Sequence, residues 1–381
     1  MYKKNKNICF IANFGRTLSF SVLAKELSKK GYKVFWIVPN KNLLEKYNLK
    51  NYIYIGYNII TLDIDEKPFK NERKFLNSDR VLKHDSIKDV IYLRKLRVLS
   101  QNFLISNKIK FVFGEFSWAY ELTISDICEE LKLHYIHPAP ARVGKHDLIF
   151  LSHYFQNKIL VSNKKYKNFS TRKNNSTFVS SRLNTQIKTI PNFINRLKNF
   201  FFKDYFYKDD VNRVTKINRI SLFFIRKFRN IIYKIFWEDK NINFNNNKRF
   251  FLYALQKKPE AGINVKGMFY ENEEYNIIAI RRVLYSNDIL IVKEHPADLG
   301  NNSFSFYKKL KKFNDIKFTS KNVPHKYVHS VFTVSGTMAI EYALLGKRSF
   351  TFSDNWFNFV PWVIKLSTDD FRRDDFYDCY L

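Results

Sequence analysis

The sequence has 381 residues, 45% of them hydrophobic and 17% aromatic, which supplies enough apolar material for two packed domains and excludes a mainly disordered chain. Its three cysteines, Cys9, Cys128 and Cys379, include no CxxC pair, which excludes a disulfide framework and a thiolate zinc site. Lysine and arginine number 66 against 35 acidic residues, so the formal charge of +31 favours partners that carry phosphate: a nucleic acid, an anionic membrane or a phosphorylated small molecule.

Residues 1–157 alternate between short apolar runs and amphipathic segments. In chain order the predicted elements are strand 8–12, helix 18–30, strand 34–38, strands 52–55 and 59–62, helix 91–106, strand 110–113 and helix 120–131. The first three of these make a βαβ unit. We therefore expect an amino-terminal Rossmann-like domain, whose parallel sheet is covered by helices on both faces.

Residues 158–248 separate the two halves of the chain and differ from both in composition. Residues 158–249 contain 22 lysines and arginines against five acids, which is more than half of the net charge in a quarter of the chain. A predicted helix over 220–237 places large apolar residues at helical spacing with basic residues around them. Such a helix is typical of an anionic membrane interface, and also of a helix that packs on a core with its lysines in solvent. We expect a basic, largely helical linker or insert, and both interpretations stay open.

From residue 249 the α/β alternation returns and is more regular. The predicted elements are strand 250–255, helix 272–284, strand 289–293, helix 305–313, strand 316–319, a short helix 324–329, strand 331–334, helix 338–345 and strand 349–352. We expect a second, carboxyl-terminal Rossmann-like domain over 249–381. No predicted segment is long and apolar enough for a signal-peptide core or a membrane span, so we expect a protein that is neither secreted by a visible signal nor integral to a membrane. The singly scattered cysteines favour the reducing cytoplasm as its compartment.

The most informative motif in this second domain lies between a strand and a helix. Ser335, Gly336 and Thr337 form the turn, and the unpaired amides at the start of the helix suit an anionic phosphate or carboxylate. Glu341 lies one helical turn after Thr337, where a carboxylate can accept hydrogen bonds from a ribose diol. The alternative is that Ser335 or Thr337 only caps the helix and that Glu341 only complements its dipole.

Two further strand ends of the same domain carry polar residues. Lys293 and His295 close one strand and, because strand carboxyl ends line the ligand crevice of an open α/β sheet, they should reach the same edge as the Ser-Gly-Thr turn. An imidazolium there would neutralise a leaving phosphate. Gln256 and Glu260 follow the first strand of the domain, where an amide or a carboxylate can contact a base or a sugar. The alternative is a structural histidine and polar loops that bind nothing specific.

Three motifs occur in order in this region: Q-x-x-P-E, V-K-E-H-P and S-G-T-x-x-x-E-x-x-L-x-G-K. Together they make residues 250–352 resemble the carboxyl-terminal half of the bacterial capsule polysaccharide biosynthesis proteins, a group that includes Kdo transferases. The strings FGEFSWAYE at 113–121 and HPAPARVG at 137–144 are similar to the same group. The resemblance implies a metal-independent GT-B glycosyltransferase with no cofactor, in which two Rossmann-like domains face a cleft. It also implies that the carboxyl-terminal domain holds a nucleotide sugar and the amino-terminal domain the acceptor.

The resemblance implies roles for the positions that match its motifs. His295 would contact the donor phosphate, with Lys293 in the same cationic cradle. Ser335 and Thr337, on either side of Gly336, would bind phosphate or a sugar carboxylate. Glu341 would hold the ribose. A strand-end signature associated with the Kdo transferases is absent, so Kdo is not implied as the transferred sugar.

The amino-terminal half supplies two candidates for the reacting carboxylate. Glu115 and Glu121 lie beside Trp118, and either is able to deprotonate an acceptor hydroxyl or to attack the anomeric carbon. The alternative is that one of them only orients Arg142.

The sequence therefore predicts a cytoplasmic glycosyltransferase that moves a sugar from a nucleotide-activated donor, such as a CMP-linked acidic sugar, to a growing capsule or other surface polysaccharide. The segment 158–249 would hold it at the inner face of the cytoplasmic membrane, near glycan or lipid-linked glycan acceptors. Three alternatives remain: a CDP-glycerol or CDP-ribitol phosphotransferase of the teichoic acid type, a basic nucleic-acid-binding protein, and an inactive glycosyltransferase. Nucleic acid is disfavoured because no RRM, KH or helix-turn-helix signature occurs.

Overall fold

The chain divides into two units. Unit 1 contains the described residues up to 211, and unit 2 contains those from 216 onward. Arg142 and much of the segment 158–248 lie outside the described residues. The computed structural model describes residues 6–140, 148–152, 158–161, 210–211, 216–244, 247–367 and 369–372.

Unit 1 is built on a seven-stranded sheet. Its strands are β1 (Asn7–Ile11), β2 (Lys33–Val38), β3 (Tyr52–Tyr54), β4 (Phe111–Phe113), β5 (His134–Pro140), β6 (Leu148–Ser152) and β7 (Lys158–Val161). Their order across the sheet is β3-β2-β1-β4-β5-β6-β7, and the first five are parallel. The helices described in unit 1 are α1 (Arg16–Lys29), α2 (Lys41–Tyr47), α3 (Glu72–Asn77), α4 (Ile87–Ser106) and α5 (Ala119–Glu130).

The centre of this sheet is buried because β1 and β2 are apolar on both faces. The ring of Phe10 in β1 lies 5.2 Å from that of Trp36 in β2 and 4.8 Å from that of Phe113 in β4, between centroids. Helix α1 covers this cluster with Phe20 and Ala24. Nearly continuous apolar strands of this kind are typical of parallel sheets with helices on both faces.

Two predictions for unit 1 were wrong. Residues 59–62 were predicted as a strand, but residues 59–61 lie in the 3-10 helix Tyr57–Thr61, in which Ile59 is the buried residue. A 3-10 helix can form with one buried side chain per turn, whereas a half-buried strand requires buried and exposed side chains to alternate along the chain. The sheet is also not wholly parallel, because β6 and β7 add an antiparallel edge. Short apolar runs indicate strands but carry no information about the direction in which they pair.

Unit 2 is built on a wholly parallel six-stranded sheet. Its strands are β8 (Phe250–Ala254), β9 (Ile289–Lys293), β10 (Ile316–Thr319), β11 (Val328–Thr333), β12 (Arg348–Thr351) and β13 (Val363–Lys365). They follow the order β10-β9-β8-β11-β12-β13, which is 3-2-1-4-5-6 when counted from β8. This is the strand order of the Rossmann fold, and the prediction of two Rossmann-like α/β domains is confirmed.

The helices of unit 2 differ from the prediction in several places: the helix predicted over 324–329 is the 3-10 helix His325–Tyr327, the helix predicted over 305–313 ends at Leu310, and the helix Ala261–Asn264 was not predicted. The helix predicted over 338–345 is only six residues long and ends before Gly346, which turns the chain with a φ of +75°. The basic helix predicted over 220–237 begins at residue 216 and continues from residue 233 as a π-helical turn. Among the described helices, none is both long and apolar enough to cross a membrane. The helices described in unit 2 are α6 (Lys216–Ile232), α7 (Ala261–Asn264), α8 (Glu273–Val283), α9 (Phe304–Leu310) and α10 (Met338–Ala343).

Candidate active site

In each unit the strand order reverses once, and polar side chains gather at the reversal. It lies between β1 and β4 in unit 1 and between β8 and β11 in unit 2. Connections leave the sheet in opposite directions at such a point, so a crevice opens at the carboxyl ends of the two strands. Residues that follow these four strands are therefore the candidates for ligand binding.

In unit 2, the side chain of Gln256 after β8 crosses to the turn that follows β11. Its Nε2 donates to Thr333 Oγ1 at 2.6 Å, and the same Oγ1 accepts the N–H of Gly336 at 3.1 Å. A Cβ on Gly336 would lie 2.6 Å from Thr333 Oγ1 and 2.8 Å from Gln256 Nε2. Glycine is therefore required here by close approach, and the turn between β11 and α10 is held in one shape.

The two hydroxyls of this turn have different surroundings. Ser335 is buried, and its Oγ donates to the carbonyl oxygen of Gly262 at 2.7 Å, which ties the turn to α7. Thr337 is partly exposed and begins α10 without a side-chain capping bond. The hydroxyl hydrogen of Ser335 is thus already used in a hydrogen bond within the protein. The Thr337 hydroxyl does not cap the helix, so the interpretation of Thr337 as a side-chain cap is wrong.

Lys293 and Glu341 are brought into the same neighbourhood from different elements. The Lys293 side chain is buried at the end of β9, and its Nζ donates to Asn322 Oδ1 at 2.9 Å. Burial lowers the pKa of Lys293, and the negative charge of Glu341 in α10 partly opposes this. The ammonium is therefore poised at the carboxyl edge of the sheet beside the first turn of α10.

His295 is half-buried two residues beyond Lys293. Its Nδ1 accepts the N–H of Ala297 at 3.2 Å, so a neutral ring carries its proton on Nε2. Burial lowers the pKa of His295 from 6.5, although the carboxylates of Glu260 and Asp298 oppose the change. At neutral pH the neutral ring is suited to donate a hydrogen bond from Nε2. The sequence instead predicts a positively charged imidazolium at this position.

The loop after β8 contributes one cation that the sequence did not indicate. Lys266 follows α7, and burial lowers its pKa to about 8 against the opposing charge of Glu260. Its Nζ lies 3.4 Å from Asn355 Oδ1. The adjacent Gly267 packs so closely on Val334 that a Cβ there would lie 2.2 Å from Val334 Cγ1. This contact fixes the segment that carries Lys266 against the end of β11.

The buried carboxyl of Glu294 should make the stability of the protein depend on pH. Glu294 is 2% exposed and its Oε1 accepts the hydroxyl of Tyr307 at 2.7 Å. Burial raises the pKa of Glu294 from 4.5 to about 7. A raised pKa means that the protonated carboxyl stabilises the fold below pH 4.5 and that this contribution is lost as the pH rises through 7. The loss between pH 5 and pH 8.5 is about 2 to 3 kcal/mol.

A Glu294→Gln variant tests this expectation, because the amide oxygen still accepts from Tyr307 but does not titrate. Denaturant unfolding at several pH values should show that the wild type loses about 2 kcal/mol more stability than Glu294→Gln between pH 5 and pH 8.5. Glu271→Gln, at an exposed position of the same unit, should keep the wild-type pH dependence. Parallel curves for the wild type and Glu294→Gln would contradict the assignment.

In unit 1, the reversal of strand order joins two residues 102 positions apart. Asn13 follows β1 and Glu115 follows β4, and Asn13 Nδ2 donates to Glu115 Oε2 at 3.0 Å. The same Nδ2 donates to Glu121 Oε1 at 3.0 Å, so one amide bridges both carboxyls. Arg16, at the start of α1, forms a short ion pair with Glu115. Both glutamates named by the sequence are therefore in one cluster, and Asn13 and Arg16 are its unpredicted members.

The two carboxyls differ in access. Glu121 is fully buried, and its oxygens accept the backbone N–H groups of Glu115 at 3.1 Å and of Ser117 at 3.0 Å. Burial, with the neighbouring charge of Glu115, raises the pKa of Glu121 to about 8. The Glu115 side chain is 15% exposed and is paired with Arg16. Glu115 is thus the carboxylate that is accessible to a substrate. Glu121 fixes the loop that carries Glu115 through its hydrogen bonds to the backbone.

The rest of the amino-terminal motif has structural contacts. His137 is buried, its Nδ1 lies 3.0 Å from the carbonyl oxygen of Gly114, and its ring packs edge-on against Phe116. Arg142 lies outside the described residues, so its predicted contact with a glutamate stays a prediction. Within the described part of the chain, no three His, Cys, Asp or Glu side chains gather as metal ligands would.

Comparison with known proteins gives one sequence match and several distant structural ones. A sequence model of the family described as capsule polysaccharide biosynthesis protein matches residues 152–374, more than half of the chain. No curated protein matches.

Among solved structures, the chain is 16% identical to the UDP-GlcNAc 2-epimerase from Methanocaldococcus jannaschii, with 95% of this chain and 88% of that chain covered and a TM-score of 0.27. It is 11% identical to the β Kdo 2,7 transferase KpsC of Thermosulfurimonas dismutans, with coverages of 71% and 73% and a TM-score of 0.35. It is 12% identical to the UDP-GlcNAc 2-epimerase from Neisseria meningitidis, with coverages of 92% and 83% and a TM-score of 0.28.

Proposed function

Because the chain belongs to the family of capsule polysaccharide biosynthesis proteins, we propose that it is a glycosyltransferase, which moves a sugar from a nucleotide-activated donor to a growing capsule or other surface polysaccharide. The observation that carries the proposal is the convergence of polar strand ends in unit 2. The strands β9, β8 and β11 are neighbours, and the residues after each of them lie at the carboxyl edge of the sheet. That edge, at a reversal of strand order, is where Rossmann folds bind nucleotides.

In this proposal unit 2 binds the donor. Negative charge grows on the leaving phosphate as the glycosidic bond breaks, and preorganised cations and N–H donors stabilise it. Lys293 and Lys266 supply positive charge, and His295 supplies the N–H of Nε2. Since α10 is only six residues long, its dipole is small, and these side chains carry more of the stabilisation than the helix does. The proposed mechanism uses no metal ion or other cofactor.

The remaining polar residues of unit 2 would set which donor binds. Thr337 would contact a phosphate or a sugar carboxylate, and Glu341 would accept hydrogen bonds from the ribose hydroxyls. Gln256 and Glu260 flank the same edge and would contact the base or the sugar. We propose a CMP-linked acidic sugar as the donor, because a carboxylate on the sugar would be able to form an ion pair with Lys266.

Unit 1 binds the acceptor in this proposal, and Glu115 is its reacting carboxylate. Glu115 would take a proton from the acceptor hydroxyl, or attack the anomeric carbon to form a covalent intermediate. Asn13 and Glu121 are positioning residues, since both hold the Glu115 loop by hydrogen bonds. We propose that the reaction takes place at the cytoplasmic face of the membrane, where both nucleotide sugars and lipid-linked glycan acceptors are available.

A thermal-shift screen of CMP, CDP, UDP and GDP tests the donor site. A ligand that binds only the folded state stabilises it by about 2.7 kcal/mol at about 100 times its Kd. We expect a cytidine nucleotide to raise the unfolding midpoint and the other bases to have a smaller effect. If none of the four raises it, the donor site is refuted. Product analysis separates the related alternative, because a phosphodiester linkage would identify a CDP-glycerol or CDP-ribitol phosphotransferase.

A further inference from the structure

Helix α6 and the turn after it are fixed on unit 2. Tyr233 is fully buried in the core of the unit, where its ring lies 5.6 Å from that of Tyr307. Trp237 stacks on Tyr307 at 5.4 Å. Beside Tyr233, Gly300 approaches the helix so closely that a Cβ there would lie 2.6 Å from the carbonyl oxygen of Arg229. The helix is therefore part of the packed surface of unit 2.

The opposite face of this helix is apolar and exposed. Phe224, Phe228 and Ile231 follow one another at spacings of four and three residues, which puts them on one side of the helix. Ile235 and Phe236 extend this side into the π-helical turn. We call these five side chains the apolar stripe. Their exposed fractions are 65% for Phe224, 65% for Phe228, 55% for Ile231, 60% for Ile235 and 67% for Phe236.

Basic side chains border the stripe. Residues 216–237 contain six lysines and arginines and no acid. Lys227 and Lys234 are exposed and stand seven residues apart, so they run along one flank of the stripe. Arg226 and Arg229 are exposed on the remaining sides of the helix. Charge and apolar surface are thus combined on one helix, and no carboxylate within it offsets the positive charge.

A groove continues the apolar surface from the stripe toward the body of unit 2. It has a volume of about 390 Å³ and nearly all of its wall is apolar. Phe224 and Phe228 form one side, and Phe304 and Tyr307 form the other. Phe304 is itself 62% exposed, so the apolar surface extends beyond the helix to the start of α9.

We propose that the apolar stripe and its flanking cations bind the surface of an anionic lipid bilayer, with the stripe inserted at the level of the headgroups. Large apolar residues on one face and lysines and arginines beside them are the combination that partitions into such an interface. The positive charge complements anionic headgroups. A second copy of this chain would bring two helices that are basic and contain no acid against each other, which disfavours self-association through this face. Nucleic acid would use the cations but would leave the aliphatic members of the stripe unpartnered.

The experiment is sedimentation of the full chain with vesicles of phosphatidylcholine alone and of phosphatidylcholine with about 30% phosphatidylglycerol. We expect binding to the anionic vesicles, weakened when salt is raised to about 0.5 M. A Phe224→Ser/Phe228→Ser variant should bind about tenfold less tightly, and so should Lys227→Glu/Lys234→Glu. The matched controls are Ile87→Ser/Ile105→Ser, exposed apolar positions on α4, and Lys25→Glu/Lys30→Glu, exposed cations at the end of α1. Both controls should bind like the wild type.

The proposal is overturned if the serine substitutions leave binding to anionic vesicles unchanged. It is also overturned if single-stranded RNA displaces the protein from the vesicles and binds the serine variant as tightly as the wild type, which would identify a nucleic-acid surface. Loss of a dimer in the serine variant, without any vesicle binding by the wild type, would identify a second copy as the partner. None of these measurements needs a transferase substrate, so their failure is distinguishable from failure of the proposed function.

Discussion

A Glu115→Gln variant should transfer sugar about 10²- to 10⁴-fold more slowly than the wild type, because that is the usual contribution of a positioned general base. Its unfolding midpoint should stay close to that of the wild type, since glutamine keeps an oxygen for Arg16 and the side chain is at the edge of the core. The measurement is the rate of product formation at saturating donor, together with thermal unfolding of the same preparation.

Glu72→Gln is the matched control for this substitution. The Glu72 side chain is 14% exposed and pairs with Arg94 in the same unit, whereas that of Glu115 is 15% exposed and pairs with Arg16. The control should keep its transfer rate. If Glu115→Gln turns over like the wild type, Glu115 is not the reacting group. If Glu121→Gln alone loses transfer while folding normally, the roles assigned to the two carboxyls are exchanged.

A His295→Ala variant should lose about 10²- to 10³-fold in transfer rate, which is the range found when one donor that stabilises developing charge is removed. His295→Asn should retain more activity than His295→Ala, because an amide also presents an N–H. The rates are measured with donor and acceptor varied separately, so that an effect on binding is distinguished from an effect on turnover.

The pH dependence and a second histidine sharpen this test. Burial lowers the pKa of His295, so the ring is already neutral at pH 7 and transfer should not fall between pH 7 and 8 through its deprotonation. A rate that falls through this range in the wild type but not in His295→Asn would show that the imidazolium acts. His329→Ala is the control, because His329 is another half-buried histidine of unit 2 with a lowered pKa, at the amino end of β11.

The donor-site prediction came from local signals. A parallel sheet has all its strand carboxyl ends at one edge, so polar residues that follow predicted strands are expected to share that edge. Gln256 and Ser335 follow β8 and β11, Lys293 is the last residue of β9, and these strands are neighbours in the sheet. The positions of the strands in the sequence and their parallel direction were enough to predict that these three residues lie at the same edge of the sheet.

The polar members that were missed depend on information outside their own segments. Asn13 lies in the short loop after β1 and Arg16 begins α1, and nothing in this segment indicates that β4 is the neighbouring strand. Lys266 lies in a polar loop, and its low pKa results from packing of that loop against β11. The raised pKa of Glu121 likewise results from burial under residues from several elements.

The sequence by itself determined the α/β class, the two-fold repetition of the Rossmann pattern, the strand-end motifs of unit 2 and the basic helix between the halves, because each is encoded by periodicity or composition within a short window. The tertiary structure decided which strands are neighbours, and hence that Asn13 joins Glu115 and Gln256 joins Thr333. It also decided which carboxyl is buried and which face of α6 stays exposed. Strand order and burial depend on contacts between residues far apart in the chain, and a local pattern does not contain them.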